Sequence, residues 1–186
     1  MGKAPSITYS HVGFHCFDLD AMVKFYTELL GMVETDRGTL PTPDGGSVRI
    51  VFLSGEPRDH HQLALIDGRT AERGARLINQ LSFRLDSLAT LRSLKAKLDK
   101  LKTPIHSLTN HCVSWSVYFY DPEGNRIEAF VDAPFYVHQP IIEPLDLSLS
   151  DEELTRRTKE MFSGDPSFKS LDDWKSDFAR KLAAAE

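Results

Sequence analysis

Two stretches of this chain, 69 residues apart, follow one plan. The first is His11 to Asp18 (HVGFHCFD), continuing through Leu19 to Gly31. The second is Gln80 to Asp86 (QLSFRLD), continuing through Ser87 to Leu101. Each opens strand-like and then meets an Asp or Ser able to cap a helix. In the first helix Leu19, Met22, Val23, Tyr26, Leu29 and Leu30 share one face, and Gly31 is placed to end it. In the second, Leu88, Leu91, Leu94, Leu98 and Leu101 form the apolar stripe. Three strand-like segments follow each helix: Gly31 to Asp36, Ser47 to Leu53 and Gln62 to Ile66, then Pro104 to Leu108, Val113 to Tyr120 and Asn125 to Val131. Pro43-Asp44-Gly45-Gly46 and Asp121-Pro122-Glu123-Gly124-Asn125 supply turns. Each half reads strand–helix–three strands, which implies an internal duplication. The expected fold class is α+β, with two βαβββ modules (about 7–68 and 76–134) forming a half-open barrel-like sheet in one domain, 7–134.

The remainder, 135–186, reads as an extended linker plus C-terminal helices. Pro134 at its edge, Pro140 and Pro144 keep the linker extended, and Ser150-Asp151-Glu152-Glu153 starts a helix as a capping box. A last helix, about Ser170 to Ala184, puts Leu171, Trp174, Phe178 and Leu182 on one face. That face is expected to pack on its own domain or on a second subunit, which makes a homodimer the expected assembly.

Hydrophobic residues make up 41% of the 186 and charged residues 26%, so a folded core is expected rather than disorder. A net charge of −5 gives no overall basic footprint for nucleic acid. No apolar run reaches the roughly 18 residues that would cross a membrane. Met1 to Ser6 has no apolar stretch of a secretory leader. Cys16 and Cys112 are too few for a disulfide scaffold and lack metal-ligand spacing, so a reducing, cytoplasmic setting is expected.

The residues that could carry chemistry are His11, His60, His61, Gln62, Gln80, His111, Tyr118 and Glu128, at strand starts and ends in both halves. In the duplicated plan His11 corresponds to Gln80, and Gln62 to Glu128. Four polar side chains at such related positions would make a metal pocket of one imidazole, two amides and one carboxylate. Glu128 lies between Ile127 and Ala129 on an apolar strand, where a carboxylate without a partner is costly. Strand neighbours alternate, so only one of His60 and His61 faces inward, and the residues alone do not say which. His15 shares a face with His11. His106 and His138 fall in no pattern.

These motifs resemble the vicinal oxygen chelate superfamily, which includes glyoxalases, bleomycin-resistance proteins and type I extradiol dioxygenases. The resemblance covers roughly Ile7 to Val131 and is closest to the extradiol dioxygenase-like branch. His11, followed by Phe25-Tyr26-Thr27-Glu28-Leu29-Leu30-Gly31, resembles that family's first metal-ligand strand. Asp59-His60-His61-Gln62-Leu63-Ala64-Leu65 resembles its double-histidine strand, which implies His61 as the acid–base residue. Asn110-His111 and Ser116-Val117-Tyr118-Phe119 resemble its histidine and tyrosine that contact substrate and oxygen. Asp121 to Glu128 resembles its final motif, with Glu128 as carboxylate ligand. One departure stands out: the family's second ligand is a histidine in an Asn-His context, and this chain has Asn79-Gln80. The implied metal set is therefore His11, Gln80 and Glu128, with His61, His111 and Tyr118 as catalytic residues.

The resemblance implies a divalent metal, Fe(II) first, with Mn, Zn, Ni or Mg as alternatives. It implies a small aromatic or phenolic substrate, with O2 as co-substrate for a dioxygenase that opens a catechol. Phe14, Trp115, Phe119 and Phe130 are candidates for the pocket wall. A glyoxalase-like isomerase or lyase would keep the same pocket and use the metal as a Lewis acid. A metal-free protein binding an aromatic ligand is the third reading.

Overall fold

The computed structural model describes residues 9–72 and 78–184. The reading of Met1 to Ser6, residues 7 and 8 of the expected domain, and residues 76 and 77 at the start of the second module lie outside this range. Among the described residues the chain groups into two compact units. One holds residues up to Asn79 together with the turn Tyr120–Asn125. The other holds Gln80–Phe119 and the chain from Arg126 onward.

The N-terminal unit contains β1 (Val12–Cys16), α1 (Leu19–Glu28), β2 (Val33–Pro41), β3 (Ser47–Ser54) and β4 (Leu63–Asp67). Its sheet has the order β1-β4-β3-β2, with β1 parallel to β4 and the other pairs antiparallel. Asp18 caps α1 by accepting from Ala21 N at 3.0 Å, and Gly31, at φ +72°, takes the left-handed turn that ends it. Leu19, Met22 and Tyr26 are buried, as are Leu53 of β3 and Leu65 of β4, which form the core under the helix. The Asp121–Asn125 turn is fastened to this unit. Glu123, buried, accepts from Phe17 N at 2.5 Å and Asp18 N at 2.8 Å and pairs with Arg69 at 3.2 Å. Asp121 accepts from Tyr26 Oη at 3.1 Å, and burial holds its pKa above the ordinary carboxylate value.

The C-terminal unit repeats the plan with β5 (Leu81–Arg84), α2 (Leu88–Lys100), β6 (Ile105–Asn110), β7 (Ser114–Tyr120) and β8 (Arg126–Asp132). Two further short strands are β9 (Phe135–Tyr136) and β10 (Glu143–Pro144). The sheet order is β10-β6-β7-β8-β5, with β5 parallel to β8, so the edge beyond β6 is covered by a strand from the tail. Ser87 caps α2, and Leu88, Leu91, Leu94 and Leu98 are its buried stripe. Each half is thus a βαβββ module on an open sheet, and the expected α+β class is the one observed.

The tail packs within this second unit. It contains α3 (Asp151–Phe162), a strand β11 (Lys169–Ser170) paired with β9, and α4 (Leu171–Ala184). Val137 and Phe162 bury against Cys112, with Phe135, Ile141 and Phe168 around them. Thr158 of α3 accepts from Asn110 Nδ2 at 3.0 Å and Trp115 Nε1 at 3.1 Å. Arg92 of α2 donates to the carbonyls of Leu147 and Leu149 and to Asp151. Along the α4 stripe Leu171 is buried, and Phe178 and Leu182 are exposed. Among the described residues no helix is long and apolar enough to cross a membrane.

Candidate active site

In the C-terminal unit, side chains from three adjacent strands converge on Glu128. Residues two apart on a strand share a face. Gln80 and Ser82 therefore project together beside β5, as do Ser116 and Tyr118 on β7 and Arg126 and Glu128 on β8. The parallel register sets Ser82 opposite Glu128. Glu128 Oε2 accepts from Gln80 Nε2 at 2.8 Å and Ser82 Oγ at 2.6 Å; Oε1 accepts from Ser116 Oγ at 2.8 Å and Tyr118 Oη at 2.7 Å. The Glu128 residue is only 7% exposed. Arg126 donates to Gln80 Oε1 at 3.2 Å and lies 5.4 Å from the centre of the Tyr118 ring.

His111 extends this network. Its Nδ1 bonds the carbonyl of Ile141, and its Nε2 lies 2.9 Å from Tyr118 Oη and 4.0 Å from Glu128 Oε1. A carbonyl only accepts, so Nδ1 carries a proton. Tyr118 has one hydroxyl proton and two acceptors within reach, Glu128 Oε1 and His111 Nε2. A proton can thus pass between imidazole and carboxylate through this hydroxyl. Burial and then the neighbouring Glu128 carboxylate raise the Tyr118 pKa, which keeps the phenol a donor. Trp115 and Phe119 lie on the opposite face of β7 from Tyr118, and Trp115 is spent on Thr158. They do not wall this cluster.

A second cluster lies in the N-terminal unit. The rings of His11 and His61 are 4.2 Å apart, and Phe52 lies 4.8 Å from His61. His60 Nδ1 is 2.9 Å from His61 Nδ1, and His60 Nε2 is 3.0 Å from Asp36 Oδ2. An ionised carboxylate only accepts, so His60 Nε2 carries a proton. In neutral His60 the Nδ1 atom then accepts from His61 Nδ1–H. That pattern leaves His61 Nε2 with its lone pair, the form a general base needs. Burial, then His11 and His60, hold the His61 pKa below the ordinary value. His15 bonds the Asp67 carbonyl through Nδ1, at 2.9 Å. Gln62 turns its amide oxygen to Gly55 N at 3.0 Å, where it holds the turn after β3.

The structure thus brings Gln80, His111, Tyr118 and Glu128 together in one unit, and His11 and His61 together in the other. Four residues of these two clusters escaped the sequence reading: Ser82, Ser116, Arg126 and Asp36. Strand alternation could have found the first three, because each lies two positions from a named residue. Asp36 follows a register slip between Glu34 and Asp36, and such a bulge has no sequence signal here.

The Glu128 cluster has features that suit a divalent cation. The hydrogen-bond partners of this buried carboxylate are hydroxyls and an amide, all neutral, which suits a cation beside it. Its donor chemistry fits a hard, oxygen-preferring ion once Gln80 turns over. Gln80 offers its NH2 to Glu128 and its oxygen to Arg126. Rotation by half a turn presents the oxygen. Among the described residues no three His, Cys, Asp or Glu side chains are grouped to hold an ion by themselves.

The sequence profile of the Glyoxalase/Bleomycin resistance protein/Dioxygenase superfamily matches residues 8–129. The chain belongs to this superfamily. Among solved structures, the trypanothione-dependent glyoxalase I of Leishmania major is 25% identical, with a TM-score of 0.54 over 68% of this chain and 87% of that one. A glyoxalase/bleomycin resistance protein/dioxygenase domain from Frankia sp. EAN1pec is 22% identical, with a TM-score of 0.53 over 70% and 99%. A glyoxalase family protein from Bacillus cereus is 15% identical, with a TM-score of 0.56 over 71% and 98%. The last two show the superfamily fold alone. Comparison with curated proteins finds no match.

Proposed function

We propose that this superfamily member is a metal-dependent, extradiol-like dioxygenase acting on a catechol or related aromatic diol. The observation that carries the reading is the unbroken chain from His111 through Tyr118 to the buried Glu128 carboxylate. Its elements are the ones the resemblance requires: an acidic ligand, a phenol to orient a substrate oxygen and an imidazole to donate beside it. The proposed ligands are His11, Gln80 and Glu128. When bound, a divalent ion supplies Lewis acidity that lowers the pKa of a chelated phenol, and iron adds reactivity toward O2.

The chain's own residues do the rest. Ser82 and Ser116 hold Glu128 in one orientation through hydroxyl hydrogen bonds. His61 Nε2 takes the proton of a diol hydroxyl, and the Asp36–His60 pair keeps the other ring nitrogen protonated. Tyr118 keeps its proton in the hydrogen bond with Glu128 or His111 and offers its oxygen to a substrate hydroxyl, and His111 positions that phenol. A second reading, a glyoxalase-like isomerase or lyase, is favoured by Gln80, because an amide oxygen is a weaker partner than imidazole for Fe(II) and suits harder ions. The likeness to the Leishmania major glyoxalase I supports the same reading.

An oxygen electrode separates the two. Protein loaded anaerobically with Fe(II) is mixed with catechol, 3-methylcatechol and 2,3-dihydroxybiphenyl. The dioxygenase consumes one O2 per diol and forms a yellow ring-opened product. Turnover of an enolisable thiol adduct without O2, and no oxygen uptake with any diol, assigns the isomerase or lyase instead.

A further inference from the structure

The tail of the C-terminal unit carries a cavity of about 550 Å³ that the reading above leaves unused. This volume lies in the range of small-molecule sites. One wall is a ladder of near-parallel rings. Tyr136 of β9 stacks on Trp174 of α4 at 5.3 Å and 20°, and Trp174 stacks on Phe178, one helical turn further, at 5.3 Å and 7°. Phe178 is 45% exposed, so the ladder ends at a ring partly open to water. An aromatic stack that stops in solvent offers its last face to another flat ring.

The rim of the same cavity is cationic. Lys169 donates to Asp177 Oδ2 at 2.7 Å and Arg180 donates to Asp177 Oδ1, so one carboxylate faces two cations. Lys181 adds a third cation to the lining. The lining sets three cations against the carboxylate of Asp177, with Asp165 on Ser167 and Asp173 on Ser170 next to it. Opposite-charge attraction at such an exposed rim selects the sign of a ligand and weakens with salt.

We infer that this cavity binds a planar aromatic anion, with its ring on Phe178 and its charged group between Lys169, Arg180 and Lys181. No residue of this site belongs to the Glu128 or His61 clusters, so the inference stands apart from the proposed reaction.

Titration of the full chain with 2-naphthoate tests it, by calorimetry and by tryptophan fluorescence. Trp115, the second tryptophan, is 3% exposed and hydrogen-bonded to Thr158, so a fluorescence change reports Trp174. The expected result is saturable binding at one site with quenching. The neutral 2-naphthylmethanol should bind at least tenfold more weakly, and the cationic 2-naphthylmethylammonium should not bind. The double variant Arg180→Ala, Lys181→Ala and the single variant Phe178→Ala, all at exposed positions, should each weaken 2-naphthoate at least tenfold with an unchanged far-ultraviolet spectrum. No saturable binding, equal affinity for the three probes, or full affinity in Phe178→Ala would overturn the inference. So would self-association of the unliganded chain that Phe178→Ala abolishes, because a second copy would then occupy the ladder.

Discussion

The Gln80 amide nitrogen lies 2.8 Å from Glu128 Oε2, while the amide oxygen of the same residue accepts from Arg126 at 3.2 Å. One side chain thus links the buried carboxylate to the nearby guanidinium. Replacing the amide by imidazole removes the Arg126 acceptor and supplies a nitrogen donor suited to Fe(II). Gln80→His is expected to bind Fe(II) tighter by about tenfold or more, the scale on which changes around a metal ligand act. Anaerobic calorimetry measures this; equal affinity removes Gln80 from the ligand set.

Ser116 is one of two donors to Glu128 Oε1 and is fully buried. Its removal leaves a buried carboxylate with one hydrogen bond fewer. Ser116→Ala should cost about 1.5–3 kcal/mol, the usual worth of a hydrogen bond to a charged group. Urea unfolding reports the loss, and a change under 0.5 kcal/mol would show that Tyr118 alone satisfies that oxygen.

Glu123 ties the Asp121–Asn125 turn to the junction of β1 and α1, and its pair with Arg69 is nearly dry, with the two side chains 2% and 10% exposed. Glu123→Ala strands the guanidinium and orphans two backbone N–H groups. A loss of about 3–5 kcal/mol is expected. Thermal unfolding that differs from the parent by only a degree or two would contradict the buried pairing.

The Asp36–His60–His61 chain makes a prediction about which ring nitrogen carries the proton. In 15N-labelled protein at pH 8, His61 should be protonated at Nδ1 and bare at Nε2. Asp36→Asn should move it toward the Nε2–H tautomer common in free histidine and lower kcat more than it changes KM. A His61 tautomer indifferent to Asp36 removes the positioning role of His60.

The thiols give an alkaline prediction. Burial pushes the Cys16 pKa up to about 12 and the Cys112 pKa up to about 11. Each folded-state value exceeds its unfolded one, so the folded protein holds the protons more tightly. That contribution is complete below about pH 8.5, the unfolded thiol value, and is lost as pH rises toward the folded values. Native protein should resist a disulfide reagent at pH 8.5 and release both thiols on unfolding. Stability measured in urea should fall between pH 8.5 and 11, less steeply in Cys16→Ala.

Much of the architecture was legible because the repeat carries its own punctuation. Asp18 and Ser87 cap the two helices, leucines at helical spacing bury against the sheets, and Asp121 to Asn125 makes the turn. The contacts of that turn were not legible: nothing near Glu123 announces bonds to Phe17 and Asp18, more than a hundred positions away. The cluster around Glu128 was half visible. Gln80, Tyr118 and His111 stood out as polar residues at strand positions, whereas Ser82 and Ser116 looked ordinary until strand pairing gave them a common face. Asp36 reaches His60 only through a bulge. The apolar stripe of α4 suggested packing, yet helical spacing says where a face points and not whether anything covers it. Phe178 and Leu182 stay exposed.

Anaerobic calorimetric titration of the chain with Fe(II) and Mn(II), alongside Glu128→Gln, tests the central claim most directly. The side-chain swap keeps the shape and removes the charge, and circular dichroism checks that the fold persists. One ion per chain, lost or weakened at least a hundredfold in Glu128→Gln, is the predicted result. No binding of either ion to the parent, or equal binding to a folded Glu128→Gln, would contradict it.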